Sequence, residues 1–155
     1  MHRFAREAMG TIFEVMIAGQ EADYAAQASE AVFREIEHLE ALFSRFNATS
    51  EVGQINRLHS EESLRISPDT FGCLQIAEKV RRETGGAFDL NFRKSGGYSD
   101  RPSFDLIAAE SGFQIRFHRD LFRRSPAGLD LDLGAIGKGY ALDRAASVLA
   151  EWSVE

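Results

Sequence analysis

The residues best suited to chemistry stand close together in residues 129–143, which read LDLDLGAIGKGYALD. Gly134, Gly137 and Gly139 lie there between an expected strand and an expected helix. Glycines at such a junction let the backbone approach a ligand closely, and the first turn of the helix offers free N–H groups to a phosphate. Lys138 adds a cation beside them. The pattern therefore indicates a phosphate-binding loop, although the same glycines would also suit a tight strand-to-helix connection.

The glycines follow the order G-x-x-G-x-G, which is neither the P-loop pattern nor the dinucleotide-binding pattern of Rossmann domains. Asp132 precedes them and faces away from Leu131 and Leu133 if the segment is a strand. A carboxylate at that place can accept hydrogen bonds from a ribose or a flavin ring, or it can orient a metal ion. A solvent-exposed strand aspartate explains Asp132 equally well, and Asp130 with it.

A second candidate is the segment Gly85-Gly86-Ala87-Phe88-Asp89. Its glycine turn precedes an aromatic ring that could cover a ligand ring, and the turn amides could bind polar atoms of a heterocycle. A helix stop followed by a core phenylalanine is the simpler explanation of the same residues. Residues 43–51 similarly suit the end of a helix that runs into a capped turn.

Composition and charge exclude several classes of protein. The net charge of −6 argues against a nucleic-acid surface, which needs a clustered cationic face. The single Cys73 rules out an internal disulfide, and the histidines lack metal-ligand spacing. No apolar run is long enough for membrane insertion, and the N-terminus lacks a secretory hydrophobic segment. We therefore expect a cytoplasmic protein.

The elements that must position these residues follow from the periodicity of the apolar side chains. The predicted elements are a strand at Thr11–Ala18, a helix at Glu21–Phe46, a strand at Ser63–Ile66, a helix capped by Ser67 and stopped by Gly85-Gly86, a loop at Lys94–Pro102, a short helix at Phe104–Ser111, strands at Phe113–Phe117 and Leu129–Leu133, and a final helix with Tyr140 to Trp152 on its apolar side. Strands and helices do not strictly alternate, so the pattern predicts an α+β fold. A chain of this length fits one domain, residues 1–155.

Four segments, in order, resemble the successive motifs of the FAD:protein FMN transferase family, also called ApbE. They are Met9-Gly10-Thr11, FSRFN from Phe43 with Ser50-Glu51 and Asn56, GGAFD from Gly85, and LDLGAIGKGYALD from Leu131. The resemblance implies an α+β fold with a mixed sheet packed against helices. It also implies binding of FAD with a divalent cation, usually Mg²⁺. The implied reaction transfers FMN from FAD to a threonine or serine hydroxyl of a target flavoprotein and releases AMP.

The resemblance also implies individual site residues. The FAD-contacting positions correspond to Met9, Phe46, Ala87, Phe88, Asp89, Asp132 and Lys138. The backbone carbonyl of Ala135 corresponds to a metal-binding position, and no catalytic residue is assigned. Cleavage of a pyrophosphate depends mainly on neutralising the charge of its phosphates. Glycine amides, Lys138 and a hard cation would supply that neutralisation.

The chain departs from the family in two ways. Family members are much longer, so the chain corresponds to their N-terminal half or to a shortened member, and the Asp and Thr that complete their metal site have no counterpart here. Asn91-Phe92-Arg93 stands where Pro-Leu usually follows the Phe-Asp pair. We therefore expect FAD binding but little or no FMN transfer by the isolated chain. A non-catalytic FAD-binding domain, a homo-oligomer and one half of a two-chain assembly remain open alternatives.

Overall fold

The computed structural model describes residues 1–91, 103–118 and 128–154. In chain order the elements are β1 (His2–Ala8), β2 (Thr11–Ile17), α1 (Ala22–Phe43), α2 (Glu51–Ile55), β3 (Ser63–Ile66), α3 (Pro68–Glu83), β4 (Ser103–Ala109), β5 (Gly112–His118) and α4 (Gly137–Glu151). The predicted loop Lys94–Pro102 lies outside the described residues.

The chain divides into two compact units. The first contains Met1–Ala41 and Gly134–Glu155, and the second contains Leu42–Leu133. The predicted α+β class is confirmed, since helices accompany a two-stranded sheet and a three-stranded sheet. Both of these sheets are antiparallel. Across the described ranges, no helix combines the length and apolarity that a bilayer crossing requires.

The first unit begins with an antiparallel hairpin of β1 and β2. Met9 and Gly10 form its turn with φ angles of 51° and 68°, the left-handed pair that matches the twist of two-residue hairpins. The predicted strand at Thr11 is confirmed as β2. Strand β1 was not predicted, because its less exposed positions include His2 and Arg6 and so hide the period-2 pattern.

Helix α1 buries one apolar face, as its spacing predicted. Fully buried positions recur every three or four residues at Ala25, Ala28, Val32, Ile36 and Leu39. Burying each of the larger side chains contributes about 1.5–3 kcal/mol. The helix ends at Phe43 rather than at the predicted Phe46.

Helix α4 packs within the same unit through both apolar and polar contacts. Its Arg144 donates to Glu35 of α1 at 2.8 Å. The Tyr24 hydroxyl donates to the carbonyl of Trp152 at 2.6 Å, and the two rings meet edge to face with centroids 5.3 Å apart. The helix begins at Gly137, so Lys138 lies in its first turn rather than in a preceding loop.

The second unit contains the sheet in the order β3-β5-β4, with α3 against it. Ser67 caps α3 by accepting from the Thr70 N–H at 3.2 Å, as predicted. Beyond the helix, Gly85 and Gly86 have φ angles of 60° and 86°. These left-handed conformations end a helix, so the predicted stop is also confirmed. Phe71 of α3 stacks on Phe113 of β5 with ring centroids 4.5 Å apart.

The predicted short helix at Phe104–Ser111 is wrong, because these residues form β4 and the turn of a hairpin. Leu106 pairs with Ile115, and Ala109 pairs with Gly112 across a two-residue turn. The run Ala108-Ala109-Glu110 favours a helix by intrinsic propensity. Pairing with the half-buried β5 outweighs that preference, since strand formation depends on cross-strand neighbours more than on the segment itself.

The predicted strand at Leu129–Leu133 is wrong, because these residues form no strand and join neither sheet of the described residues. The predicted alternation is nevertheless present. Leu129, Leu131 and Leu133 are buried, while Asp130 and Asp132 between them are partly exposed. The side-chain pattern of a strand was therefore predicted correctly, whereas its pairing was not.

A histidine at the end of β5 makes the stability of the second unit depend on pH. His118 Nε2 lies 2.6 Å from Asp105 Oδ2, and its Nδ1 lies 3.3 Å from Glu61 Oε1. Hydrogen bonds to Asp105 and then Glu61 raise the pKa of His118 above its ordinary value of 6.5. The pKa of His118 is raised in the folded state only. The ion pairs therefore stabilise the fold fully at a pH below the ordinary pKa that His118 has in the unfolded chain. This stabilisation is lost as the pH rises through the raised pKa.

We expect the melting temperature to fall as the pH is raised from 5.5 to 8.5, and His118→Gln to flatten that fall because it removes the titrating group. Asp105→Asn should flatten it partly, since one of the two acceptors of the charged ring is removed. Thermal unfolding followed by circular dichroism at several pH values measures both effects. An unchanged pH dependence in His118→Gln would show that other groups set it.

Candidate functional site

The predicted site residues are divided between the two units. Phe46, Ala87, Phe88, Asp89 and Asp132 belong to the second unit, and Met9, Ala135 and Lys138 belong to the first. Their roles as FAD or metal contacts stay predictions.

Asn56 holds the segment Leu129–Leu133, which carries Asp132. Its side-chain Nδ2 donates to the carbonyl of Leu131 at 3.0 Å, and its Oδ1 accepts from the Leu131 N–H at 2.7 Å. A primary amide presents the same donor and acceptor as a peptide group. Asn56 therefore acts as a strand partner one residue long, at the point where the segment lacks a neighbouring strand in the described sheets.

Two flanking hydrogen bonds complete this support. The Asp130 N–H donates to Asn91 Oδ1 at 2.8 Å, and the Asp132 N–H donates to the Leu90 carbonyl at 3.0 Å. Asn91 is buried, so its amide gives the Asp130 N–H a partner where water is largely excluded. Both aspartate side chains are thereby fixed on the side opposite the buried leucines. The sequence pattern gave no sign of this role for Asn91.

Arg45 brings together the two aspartates and the predicted aromatic contact. Its Nη1 donates to Asp132 Oδ2 at 2.9 Å, and its Nη2 donates to Asp130 Oδ1 at 3.3 Å. Its Cζ lies 5.3 Å from the ring centroid of Phe46, whose exposure is 89%. Sequence reasoning placed Arg45 in a motif without a role. The sequence does contain a signal for this role of Arg45. Two acids stand two residues apart in a segment with the alternation of a strand, so both carboxylates can face one guanidinium.

The turn after α1 fixes the backbone around Arg45. Ser50 caps α2 by accepting from the Gly53 N–H at 2.9 Å. The Ser50 hydroxyl contacts the carbonyls of Asn47, at 2.7 Å, and of Ser44. Gly53 is required at its position, because a Cβ there would stand 2.0 Å from the Asn47 carbonyl oxygen. The turn is thus packed backbone against backbone.

The predicted contact segment Ala87–Asp89 forms a turn beyond α3. Ala87 is exposed, and the Phe88 N–H donates to the Thr84 hydroxyl at 3.1 Å. Asp89 Oδ1 accepts from the Asn91 N–H at 2.9 Å. The same turn that presents Ala87 to solvent therefore also leads to Asn91, which holds the aspartate segment.

A cavity of about 120 Å³ adjoins this turn. Its lining residues are Glu78, Arg81, Asp89, Leu90, Asn91, Ser103 and Phe104. Arg81 donates to Glu78 at 2.9–3.1 Å, and this contact, together with the charge of Asp89, raises the pKa of Arg81. Pockets that enclose drug-sized ligands have roughly 300–1,000 Å³. The cavity therefore suits a small polar group and not a flavin ring.

In the first unit, Met9 lies in the β1–β2 turn. Its backbone N–H donates to Glu40 Oε1 of α1 at 2.7 Å. The side chain is partly exposed, and its backbone is held by both the turn and α1. A partly exposed thioether is flexible and polarisable and can pack against an aromatic ring. This position is consistent with the predicted contact.

The glycine-rich segment forms a turn at residues 134–136 and then enters α4. Lys138 Nζ donates to the Gly134 carbonyl at 3.0 Å, across the turn. Ile136 occupies the N-cap position, and among the described residues no side chain caps the helix. The first N–H groups of a helix need partners, and an anion can supply them. The predicted phosphate-binding role therefore fits the local structure.

The described residues do not form a magnesium site by themselves. Over these ranges, no group of three or more His, Cys, Asp or Glu side chains is placed to hold a metal ion. Ala135, the predicted metal position, is exposed and has only a backbone carbonyl to offer. Mg²⁺ requires near-octahedral oxygen coordination. Further oxygen ligands would have to come from a phosphate, water or groups outside these ranges.

Cys73 is poorly placed to act as a nucleophile. It is fully buried in α3, and burial raises the pKa of its thiol to about 12. The thiolate is the nucleophilic form of cysteine, and it is scarce at neutral pH when the pKa is so high. A covalent mechanism through Cys73 is therefore disfavoured.

Comparisons of sequence and of structure relate this chain to the ApbE family. The model of the ApbE family matches residues 9–155. The FAD:protein FMN transferase of Buchnera aphidicola is 23% identical over 139 residues, which cover 79% of this chain and 41% of that protein. The enzyme of the same name from Chlamydia muridarum is 24% identical and is also covered to 41%. The chain thus spans about two fifths of the length of these curated relatives.

Solved structures show the same fold. The ApbE protein of Thermotoga maritima superposes with a TM-score of 0.73 at 22% identity, covering 97% of this chain and 53% of that one. The flavin transferase ApbE of Vibrio cholerae gives a TM-score of 0.72 at 19% identity, covering 99% and 54%. The α+β arrangement of helices and sheets is therefore that of the ApbE structures.

The surroundings of Gly53 and Gly139 predict opposite effects of an alanine substitution on stability. Gly53→Ala should destabilise the protein by about 2 kcal/mol or more, because the new methyl group meets a backbone carbonyl that cannot move freely. Gly139→Ala should be neutral or stabilising by up to about 1 kcal/mol, because its Cβ meets open space in a helix. Urea unfolding measures both. Equal stability of Gly53→Ala and wild type would contradict the packing of the Ser44–Ser50 turn.

Proposed function

The chain belongs to the ApbE family, and from this premise we propose that it binds FAD and serves in the transfer of FMN to a threonine or serine hydroxyl of a target flavoprotein. The observation that carries the proposal is the family match over residues 9–155, which includes all four motifs. The curated relatives named FAD:protein FMN transferase support it. In this reaction the acceptor hydroxyl oxygen attacks the FMN phosphorus and loses its proton. The bond to the bridging oxygen breaks, and AMP leaves.

Residues of the second unit are proposed to bind the flavin part of FAD. Phe46 exposes 89% of its surface, so a flavin ring packed on it would remove a large apolar area from water. Asp132 remains 42% exposed in its side chain and can accept hydrogen bonds from a ribose or a ring N–H. Phe88 and Asp89, with the exposed Ala87, are proposed as the second contact segment.

Residues of the first unit are proposed to bind the phosphates. The start of α4 offers backbone N–H groups, and Lys138, whose Nζ donates to the neutral Gly134 carbonyl at 3.0 Å, offers a positive charge. Met9 is proposed as a further contact to the nucleotide. Mg²⁺ is proposed as the accompanying cation through the family resemblance. When bound it would neutralise phosphate charge, and the Ala135 carbonyl is the position that would face it.

The alternative is an FAD-binding domain without transferase activity. One observation favours it, namely that the described residues contain no cluster of acids or histidines suited to a metal. Pyrophosphate cleavage gains much of its rate from such charge neutralisation. FAD binding is therefore the better supported step, and transfer is the step that separates the two candidates.

The proposed function predicts that the isolated chain binds FAD saturably and transfers FMN slowly at most. Fluorescence titration should detect binding at tens of micromolar FAD or below, and more weakly for NAD, which lacks the flavin ring that Phe46 would cover. Incubation with FAD, Mg²⁺ and a threonine-bearing acceptor protein should give little covalent FMN, matched by an equal amount of AMP, both measured by mass spectrometry and chromatography and both suppressed by EDTA. Binding without any transfer would support the alternative, and absence of flavin binding would contradict both candidates.

The two charged residues proposed as contacts should matter for affinity and not for folding. Asp132→Asn and Lys138→Ala should each weaken FAD binding by roughly tenfold, since a hydrogen bond to a charged group is worth about 1.5–3 kcal/mol. Glu83→Gln is the matched control, because Glu83 is an exposed carboxylate paired only loosely with Lys79 at 3.8 Å. Wild-type affinity in both site variants, with unchanged melting curves, would show that these residues serve the structure alone.

A further inference from the structure

We propose that Arg45 is a positioning residue of the flavin site, which holds the Asp132 carboxylate and the Phe46 ring in the arrangement that FAD requires. The inference rests on the proposed function and adds a residue to which that function assigns no role. Arg45 itself need not touch FAD. It would act through Asp132 and Phe46, which stand on different segments of the second unit.

The first argument is the geometry of the charged group. The two terminal nitrogens of Arg45 reach different carboxylates, Asp132 at 2.9 Å and Asp130 at 3.3 Å. The rigid fork of a guanidinium can bridge two acids in fixed directions, whereas an ammonium cannot. Side-chain exposure is 16% for Arg45 and 22% for Asp130 but 42% for Asp132. The inner part of the cluster is thus shielded, while the Asp132 carboxylate is the more exposed of the two acids.

The second argument is that the backbones at both ends of the cluster are fixed. Asn56 and Asn91 hold the aspartate segment through its peptide groups. Ser50 and its contacts with the Asn47 and Ser44 carbonyls hold the turn that carries Arg45. Only the side chains remain to be ordered, and Arg45 orders them before any ligand arrives. Such preorganisation lowers the entropy cost of binding.

The third argument is charge. Asp130 and Asp132 together carry two negative charges, and Arg45 cancels one of them. Without Arg45 the two acids would repel each other, and their combined charge would repel an anionic nucleotide. FAD carries a diphosphate and riboflavin carries none. Loss of Arg45 should therefore weaken FAD binding more than riboflavin binding, and added salt should reduce the difference.

The fourth argument links the same group to the aromatic contact. The guanidinium carbon of Arg45 lies over the Phe46 ring at 5.3 Å from its centroid. A cation over an aromatic face is attracted by the negative charge of that face. Because Phe46 is otherwise almost fully exposed, this contact restricts a ring that solvent would leave free to rotate. A single guanidinium therefore orders both an acid and a ring proposed to meet the flavin.

The test is a coupling experiment on the purified chain. FAD and riboflavin affinities and melting curves are measured for wild type, Arg45→Met, Arg45→Lys, Asp132→Asn and the double variant Arg45→Met/Asp132→Asn. Lys79→Met is the matched control, since it removes one exposed positive charge from the same unit. Arg45→Met should weaken FAD binding roughly tenfold, as expected for the loss of a charge-assisted contact, and Arg45→Lys should weaken it less. Lys79→Met should bind as wild type does.

The double variant separates positioning from general structural support. If Arg45 acts through Asp132, the Arg45→Met penalty should shrink to about threefold or less in the Asp132→Asn background, because interacting residues are not additive. An equal penalty in both backgrounds, or wild-type affinity in Arg45→Met, would overturn the proposal. If Arg45→Met fails to fold, the Arg45→Lys variant decides. Wild-type FAD affinity in Arg45→Lys would overturn the proposal, and weakened FAD binding at an unchanged melting temperature would support it. Absence of FAD binding by wild type would instead overturn the proposed function.

Discussion

The arrangement of the second unit depends on how the segment Leu129–Leu133 satisfies its backbone hydrogen bonds. The segment alternates buried leucines with partly exposed aspartates, and in the described residues it belongs to neither sheet. Buried peptide groups without partners would cost several kcal/mol in total. The side-chain amides of Asn56 and Asn91 and the carbonyl of Leu90 provide partners instead. These partners let the segment bury its leucines and expose its aspartates although no strand of the described sheets pairs with it.

The alternation of buried and partly exposed residues in that segment then determines where its charged side chains lie. Leu131 and its neighbouring leucines occupy the core, so Asp130 and Asp132 must share the other side. Two carboxylates on the same side of a short segment repel each other, and the Arg45 guanidinium pairs with both of them. The short turn around Ser50 brings Arg45 to that place directly after the end of α1. The charged cluster is thus a consequence of core packing on its opposite face.

Membership of the ApbE family gives this cluster a chemical setting. A flavin nucleotide combines an apolar ring with an anionic diphosphate, and a protein that binds it must offer both apolar cover and positive or N–H-rich surface. The second unit offers an exposed Phe46 beside the paired acids, and the first unit offers the start of α4 with Lys138, where no side chain of the described ranges caps the helix. Neither unit offers a carboxylate cluster for a metal over the described ranges. Both surfaces are therefore features that the proposed recognition of a flavin nucleotide would use.

The sequence by itself determined the elements whose signals are local. The cap at Ser67, the stop at Gly85-Gly86, the apolar face of α1 and the alternation of Leu129–Leu133 were all predictable, because capping, left-handed glycines and side-chain periodicity act within a few residues. The ordered motifs also identified the family. Tertiary structure alone decided what depends on distant partners. It made β4 a strand through pairing with β5, replaced a sheet neighbour by Asn56 and Asn91, and joined Arg45 to acids 85 and 87 residues away. Such contacts form between segments that no local pattern connects, so only the folded chain could reveal them.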